Sequence, residues 1–160
     1  MNTSIRHQTT RTTVLITAFA LALLVRPAQA EVPSGTPVFS NPLAITNPFQ
    51  PFRPGALKVF SGSDHGTKTE SHDIYLRQTR EFQWNGKTVK CRILREVAFE
   101  DGELVESSDN YFAQADDGTV YYFGEVVDNY VDGVIANHDG SWLVGGPTLA
   151  SDPPEIATYP

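Results

Sequence analysis

Four turn dipeptides at near-equal spacing constrain this chain more than any other feature. Asn85-Gly86, Asp101-Gly102, Asp117-Gly118 and Asp132-Gly133 fall sixteen, sixteen and fifteen residues apart. Such pairs suit a two-residue type I′ hairpin, because both central residues need a positive φ. The segments between them are rich in Val, Ile, Tyr, Phe and Thr and carry no helical apolar period. The pattern predicts an all-β domain over 56–144, an antiparallel up-and-down meander curled into a half-barrel or open barrel. Strands are expected over 69–84, 87–100, 103–116, 119–131 and 134–144, after a shorter one at 57–61.

Two-residue turns also fix the pairing of neighbours. One expected row is Arg80–Cys91–Phe112–Phe123–Trp142, and a second on the same face is Phe82–Val89–Gln114–Tyr121–Val144. Cross-strand aromatic pairs of this kind stabilise a sheet. The opposite face pairs Glu81 with Lys90, Arg92 with Tyr111, Tyr111 with Gly124, and Tyr122 with Leu143.

Further along the first face the same alignment gives the rows Gln78–Ile93–Asn110–Glu125–Gly140 and Leu76–Arg95–Ser108–Val127–His138. Arg95, Asn110, Glu125 and His138 are thereby expected to converge beside Phe112, Phe123 and Trp142. A concave apolar wall with a few polar groups is the usual makeup of a small-molecule site. A solvated barrel rim, or a network in which Arg95 neutralises Glu125, would explain the same residues without a ligand. A hydrolytic version would use His138 as general base oriented by Glu125, with Ser108 the one evident nucleophile.

The flanks read differently. Arg6 and Arg11, the apolar run Val14 to Val25, and Ala28-Gln29-Ala30 have the order of a secretory signal peptide over 1–30. A helix of those twelve residues is roughly 18 Å long, short of a bilayer core of about 30 Å. The expected location is therefore secreted or periplasmic, with no membrane attachment after cleavage. The remaining chain from Glu31 holds nine basic and nineteen acidic residues. That balance disfavours nucleic acid and anionic membranes as partners. Six prolines between Pro33 and Pro54 predict an extended lead-in over 31–55, pinned by Phe39, Phe49 and Phe52. Residues 145–160 are expected to be an irregular tail.

Cys91 is the single cysteine, so no intramolecular disulfide can form. Its alternating neighbourhood, Val89-Lys90-Cys91-Arg92-Ile93, reads as a small buried hydrophobe rather than a reactive thiol. His65, His72 and His138 each adjoin an aspartate, but they lack close zinc-ligand spacing. The segment Asp128 to Asp139 imitates a calcium loop only in part, since Tyr130 stands where an oxygen ligand belongs. No phosphate loop, CxxC pair or GxSxG is present, and neither metal nor cofactor is expected.

Several blocks together resemble a known family. They are Asn47-Pro48-Phe49 through Arg53-Pro54-Gly55, then Tyr111-Phe112-Ala113-Gln114 with Asp117 through Glu125, then Gly140-Ser141-Trp142. This combination resembles a family of secreted bacterial proteins of unknown function that share an NPYFPL…PG opening and a YAQD.DG.VWYFGE hairpin. The likeness covers roughly residues 41–160, and Gln50-Pro51-Phe52 departs from the opening. The family supplies no catalytic residues. Its members run on past the point matching Tyr159-Pro160, which implies a short form or a truncated gene product here, whose 134–144 strand would be an open edge. The expected function is a binding module for a small or amphipathic ligand. The alternatives are a structural or self-associating protein that uses its sheet edge, and a hydrolase built on His138 and Glu125.

Overall fold

Three of the four anticipated turns form as their residue types dictate. Asn85-Gly86, Asp101-Gly102 and Asp132-Gly133 each place both residues at positive φ between two strands. The computed structural model describes residues 35–159, so the expected leader over 1–30 and the start at Glu31 lie outside the described residues. The strands are β1 (Leu57–Asp64), β2 (Thr67–Trp84), β3 (Lys87–Glu100), β4 (Glu103–Gln114), β5 (Val120–Val131), β6 (Val134–Asn137), β7 (Trp142–Val144) and β8 (Ala157–Tyr159). They form one sheet in the order β1-β2-β3-β4-β5-β7-β8, with β6 paired to the far end of β5. All pairings are antiparallel except β7 with β8. The described residues are thus all-β, and the sheet is open, with β1 at one end of its order and β8 at the other.

Several local expectations need correction. His65-Gly66 makes a further two-residue turn, at φ 47° and 95°, and so lengthens β1 and β2. At Asp117-Gly118 only the glycine is at positive φ, and the chain makes a wider loop there. That loop closes through the Ala115 N–H on the Thr119 carbonyl at 2.9 Å and the Asp117 carboxylate on the Thr119 N–H at 2.9 Å. The strand expected over 134–144 breaks after Asn137 and resumes at Trp142. The tail is not irregular throughout, because β8 pairs with β7 and shields it from being an edge.

The largest correction concerns register. Arg80 pairs with Cys91 and Phe82 with Val89, as the turn at Asn85-Gly86 requires. An irregularity at Ala98/Phe99 then adds a residue to β4, so Arg92, not Cys91, faces Phe112. A second at Tyr111/Phe112 sets Phe112 opposite Tyr122 and leaves Phe123 as the extra residue of β5. A one-residue slip moves a side chain to the other face. The anticipated row Cys91–Phe112–Phe123–Trp142 is therefore split. Cys91 and Phe123 lie on one face with Tyr111, while Phe112 lies on the other with Tyr122 and Trp142.

Both faces are covered. On the first, Phe82, Val89, Cys91, Tyr111, Phe123, Leu143 and Ile156 form the main core, with Cys91 and Leu143 at 0% exposure. Burial pushes the Cys91 thiol up, against a weaker opposing pull from Arg80, so it is an inert core group. On the second, Ile45 and Phe52 of the lead-in cover Tyr75 and Leu94. The lead-in reaches both faces by crossing the β4–β5 end, where Asp116 donates its N–H to Val38 and Gln114 donates to Pro42. The Gln114 Oε1 accepts from the N–H groups of Thr46 and Asn47 at 2.8 and 2.9 Å. Side-chain partners of this kind are needed because a proline-rich strap forms few regular backbone bonds of its own. Phe39 and Phe52 pin the strap as expected, whereas Phe49 is 96% exposed.

Candidate functional site

Aromatic residues from five separate segments meet at the β7–β8 end of the sheet. Phe39 comes from the strap, Trp84 from the end of β2, Tyr121, Tyr122 and Phe123 from β5, Trp142 from β7 and Tyr159 from β8. With Gly35, Pro37 and Val144 they line a cleft of about 540 Å³. Among the described residues no charged side chain lines it. The rings stand as walls rather than as a stack. Phe39 is edge-on to Trp84 at 5.9 Å and 88°, Tyr122 to Trp142 at 5.0 Å and 84°, and Trp142 to Tyr159 at 5.5 Å and 83°. Phe112 does not line the cleft; it lies parallel to Tyr122 at 4.7 Å and backs that wall from behind.

Gly124 makes this geometry possible. It pairs with Leu143 at φ 121°, and a Cβ built there would lie 2.2 Å from the Trp142 carbonyl oxygen and 2.8 Å from the Leu143 Cα. Only glycine lets β7 approach so closely. That approach sets Trp142 opposite Glu125, not opposite Phe123 as the turn spacing predicts.

Beside the cleft, on the Phe112 face, runs a polar chain. The buried Asn110 amide donates to Glu96 and to Ser108, each at 3.0 Å, and accepts from the Tyr122 hydroxyl. Burial raises the Glu96 carboxyl above its ordinary value, reinforced by Asp73, Glu106 and Glu125 and opposed by the Asn110 bond. Burial likewise raises Glu125, against hydrogen bonds from Tyr122 and Trp142. Burial also raises the Tyr122 hydroxyl, with the Glu125 charge next in size.

The sign of this arrangement gives a testable pH profile. Glu96 and Glu125 hold protons more tightly folded than unfolded. Stability therefore rises as pH falls from neutrality toward the ordinary Glu range near 4.3. Asp152 behaves oppositely. Burial alone would raise it, but Arg80 and the N–H groups of Leu149 and Thr148 outweigh burial and hold it below the ordinary range. Its contribution is lost as pH falls through that lowered value. Urea midpoints measured against pH are expected to peak at mildly acidic pH. Glu96→Gln with Glu125→Gln should flatten the acid-side rise. A steady decline from neutral pH downward would contradict this.

The expected polar convergence does not form. Arg95 pairs with Asp109 across β3–β4, not with Ser108, and holds its carboxylate through Nε at 2.7 Å and Nη2 at 2.9 Å. It lies on the Cys91 face, opposite to Asn110 and Glu125, which face each other as anticipated. His138 falls between β6 and β7, where its Nδ1 is 2.9 Å from both the Val127 carbonyl and the Asp128 carboxylate. It does not pair with Glu125, so the anticipated acid–base couple is not assembled. Of the expected site residues, Phe123 and Trp142 line the cleft, Glu125 adjoins it through Trp142, and Arg95 and His138 are elsewhere. His65 pairs with Asp64 and His72 with Glu70, and among the described residues no group of three or more metal-binding side chains is assembled.

A second cleft of about 620 Å³ lies under the C-terminal segment on the Cys91 face. Two ion pairs form within it, while its other acids, Glu81 and Asp128, pair with Lys90 and His138 outside it. Arg80 holds Asp152 through Nη2–Oδ2 at 2.6 Å and Nη1–Oδ1 at 2.9 Å, and Arg95 holds Asp109. Arg80 also donates to the Tyr111 hydroxyl at 3.2 Å and to Thr148 at 3.4 Å, which ties the tail to the sheet. Sequence reasoning missed this pair because Arg80 and Asp152 are 72 residues apart and only the spacing of local turns was informative. Trp84 and Tyr159 were also missed as cleft residues. Trp84, immediately before a turn, was the available signal. Comparison of the chain with protein-family models, with curated proteins and with solved structures finds no match.

Proposed function

We propose that the chain is a secreted or periplasmic binding module that takes the apolar part of a small amphipathic ligand between Trp84, Tyr122 and Trp142. The observation that carries this reading is the cleft itself, which gathers both tryptophans of the chain around an opening without charged lining. Its volume falls within the range of about 300–1,000 Å³ common for small-ligand sites. The perpendicular rings offer both faces and edges to a guest. Tyr121, Tyr122, Phe123 and Trp142 of the aromatic wall fall in the blocks that carry the family resemblance, and the leader-like first thirty residues support export.

The test uses Nile red, an uncharged amphipathic dye, titrated into the chain with emission and tryptophan energy transfer followed together. Saturable binding with transfer from tryptophan is expected. Trp142→Ala should weaken it about tenfold or more, as removal of a central aromatic anchor does. Equal binding by the wild type and Trp142→Ala, or none by either, would remove the reading.

A further inference from the structure

The two ends of the sheet are treated differently. At one, β8 and the strap close over β7. At the other, β1 is an eight-residue strand exposed along its whole length and, among the described residues, paired on one side only. Natural edges of this length are usually blunted by proline, a bulge or charged side chains, and of these β1 carries only Lys58 and Asp64, one toward each end. β1 contains no proline, and its pairing with β2 runs without interruption from Leu57–Ile74 to Asp64–Thr67. It also leaves Leu57, Val59 and Phe60 at 59%, 53% and 54% exposure.

The backbone direction of this edge follows from its turn. In a two-residue hairpin at His65-Gly66, Asp64 and Thr67 are the closing pair that exchanges both backbone bonds. Even-numbered residues of β1 therefore direct their N–H and C=O toward β2. Leu57, Val59, Ser61 and Ser63 direct theirs to the open side. A second β1 running antiparallel can dock only in registers that join residues of like parity.

We infer that this edge pairs with the β1 edge of a second copy of the chain, about a two-fold axis at Ser61. In that register Ser61 exchanges backbone bonds with its own counterpart, and Val59 does so with Ser63. Lys58 then stands opposite Asp64 of the second copy, and Asp64 opposite its Lys58. Phe60 lies across from Gly62, an aromatic covering a glycine. These last pairs are non-hydrogen-bonded ones, in which side chains approach most closely. The contact is isologous, so each charge complement occurs twice. In the single chain Lys58 leans back and donates to the Tyr75 hydroxyl; beside the second copy it turns outward to Asp64.

Sedimentation velocity of the chain from low to high micromolar concentration tests this. A reversible monomer–dimer equilibrium is expected. Ser61→Pro removes an N–H that has no partner among the described residues of the single chain, so it should leave the melting temperature unchanged and abolish the dimer. Asp64→Lys, which sets like charges opposite one another twice, should weaken the dimer about tenfold or more. Lys58→Asp combined with Asp64→Lys should restore it. A wild type that stays monomeric throughout, a Ser61→Pro protein that dimerises like the wild type, or a double exchange no tighter than Asp64→Lys alone would each overturn the inference.

Discussion

Asp152→Asn is expected to destabilise the protein by about 3–5 kcal/mol, the usual cost of stranding one member of a buried ion pair. The side chains of Arg80 and Asp152 are 6% and 3% exposed, so water does not screen the charge left behind. Arg80 already has one buried nitrogen, Nε, without a partner among the described residues, which leaves it little means of compensation. The same carboxylate accepts the N–H groups of Thr148 and Leu149, each at 2.8 Å, and so shapes the turn that leads to β8. Replacing both partners, Arg80→Met with Asp152→Leu, should recover much of the loss, because it removes the uncompensated charge. Urea unfolding of the three variants checks this. A single variant as stable as the wild type would show that the pair does not hold the tail.

Gly124→Ala is expected to cost about 3–5 kcal/mol, at the upper end for single substitutions. The added carbon meets backbone atoms of Trp142 and Leu143, which cannot rotate away as a flexible side chain would. Backbone strain at φ 121° adds to the clash. The β5–β7 pairing should open, and with it the cleft. The variant is therefore expected to lose Nile red binding even at temperatures where most of the sheet remains folded, read by far-ultraviolet circular dichroism. Retained pairing, seen as undiminished amide-exchange protection of Trp142, whose backbone faces β5, would contradict this account of β7.

The strands were legible because turn chemistry is local. Asn85-Gly86 and Asp101-Gly102 need only their own φ angles to act, and the strand between them has the expected ends. His65-Gly66 does the same work, but histidine in place of Asn or Asp hid it. Register was less legible, because it accumulates along the strands between turns. The extra residues near Ala98/Phe99 and at Tyr111/Phe112 alter no composition and carry neither glycine nor proline. They exchanged Phe112 for Tyr111 in the core and scattered the expected polar group. Gly124 was the most informative residue in hindsight. Its pairing with Tyr111 was anticipated, yet a glycine inside an aromatic strand also signals a close backbone approach on its other side. The Arg80–Asp152 pair depends on long-range closure of the chain, and no local pattern reports it.

The most direct test of the central claim is amide chemical-shift mapping during titration with octyl glucoside held below its micelle concentration. If the aromatic cleft is the binding site, the shifts should concentrate at Tyr121 to Phe123, Trp142 to Val144 and the Trp84 indole, and saturate together. Shifts confined to Arg95, Asp109 and Asp128 on the other cleft, or no saturable shifts at all, would contradict it.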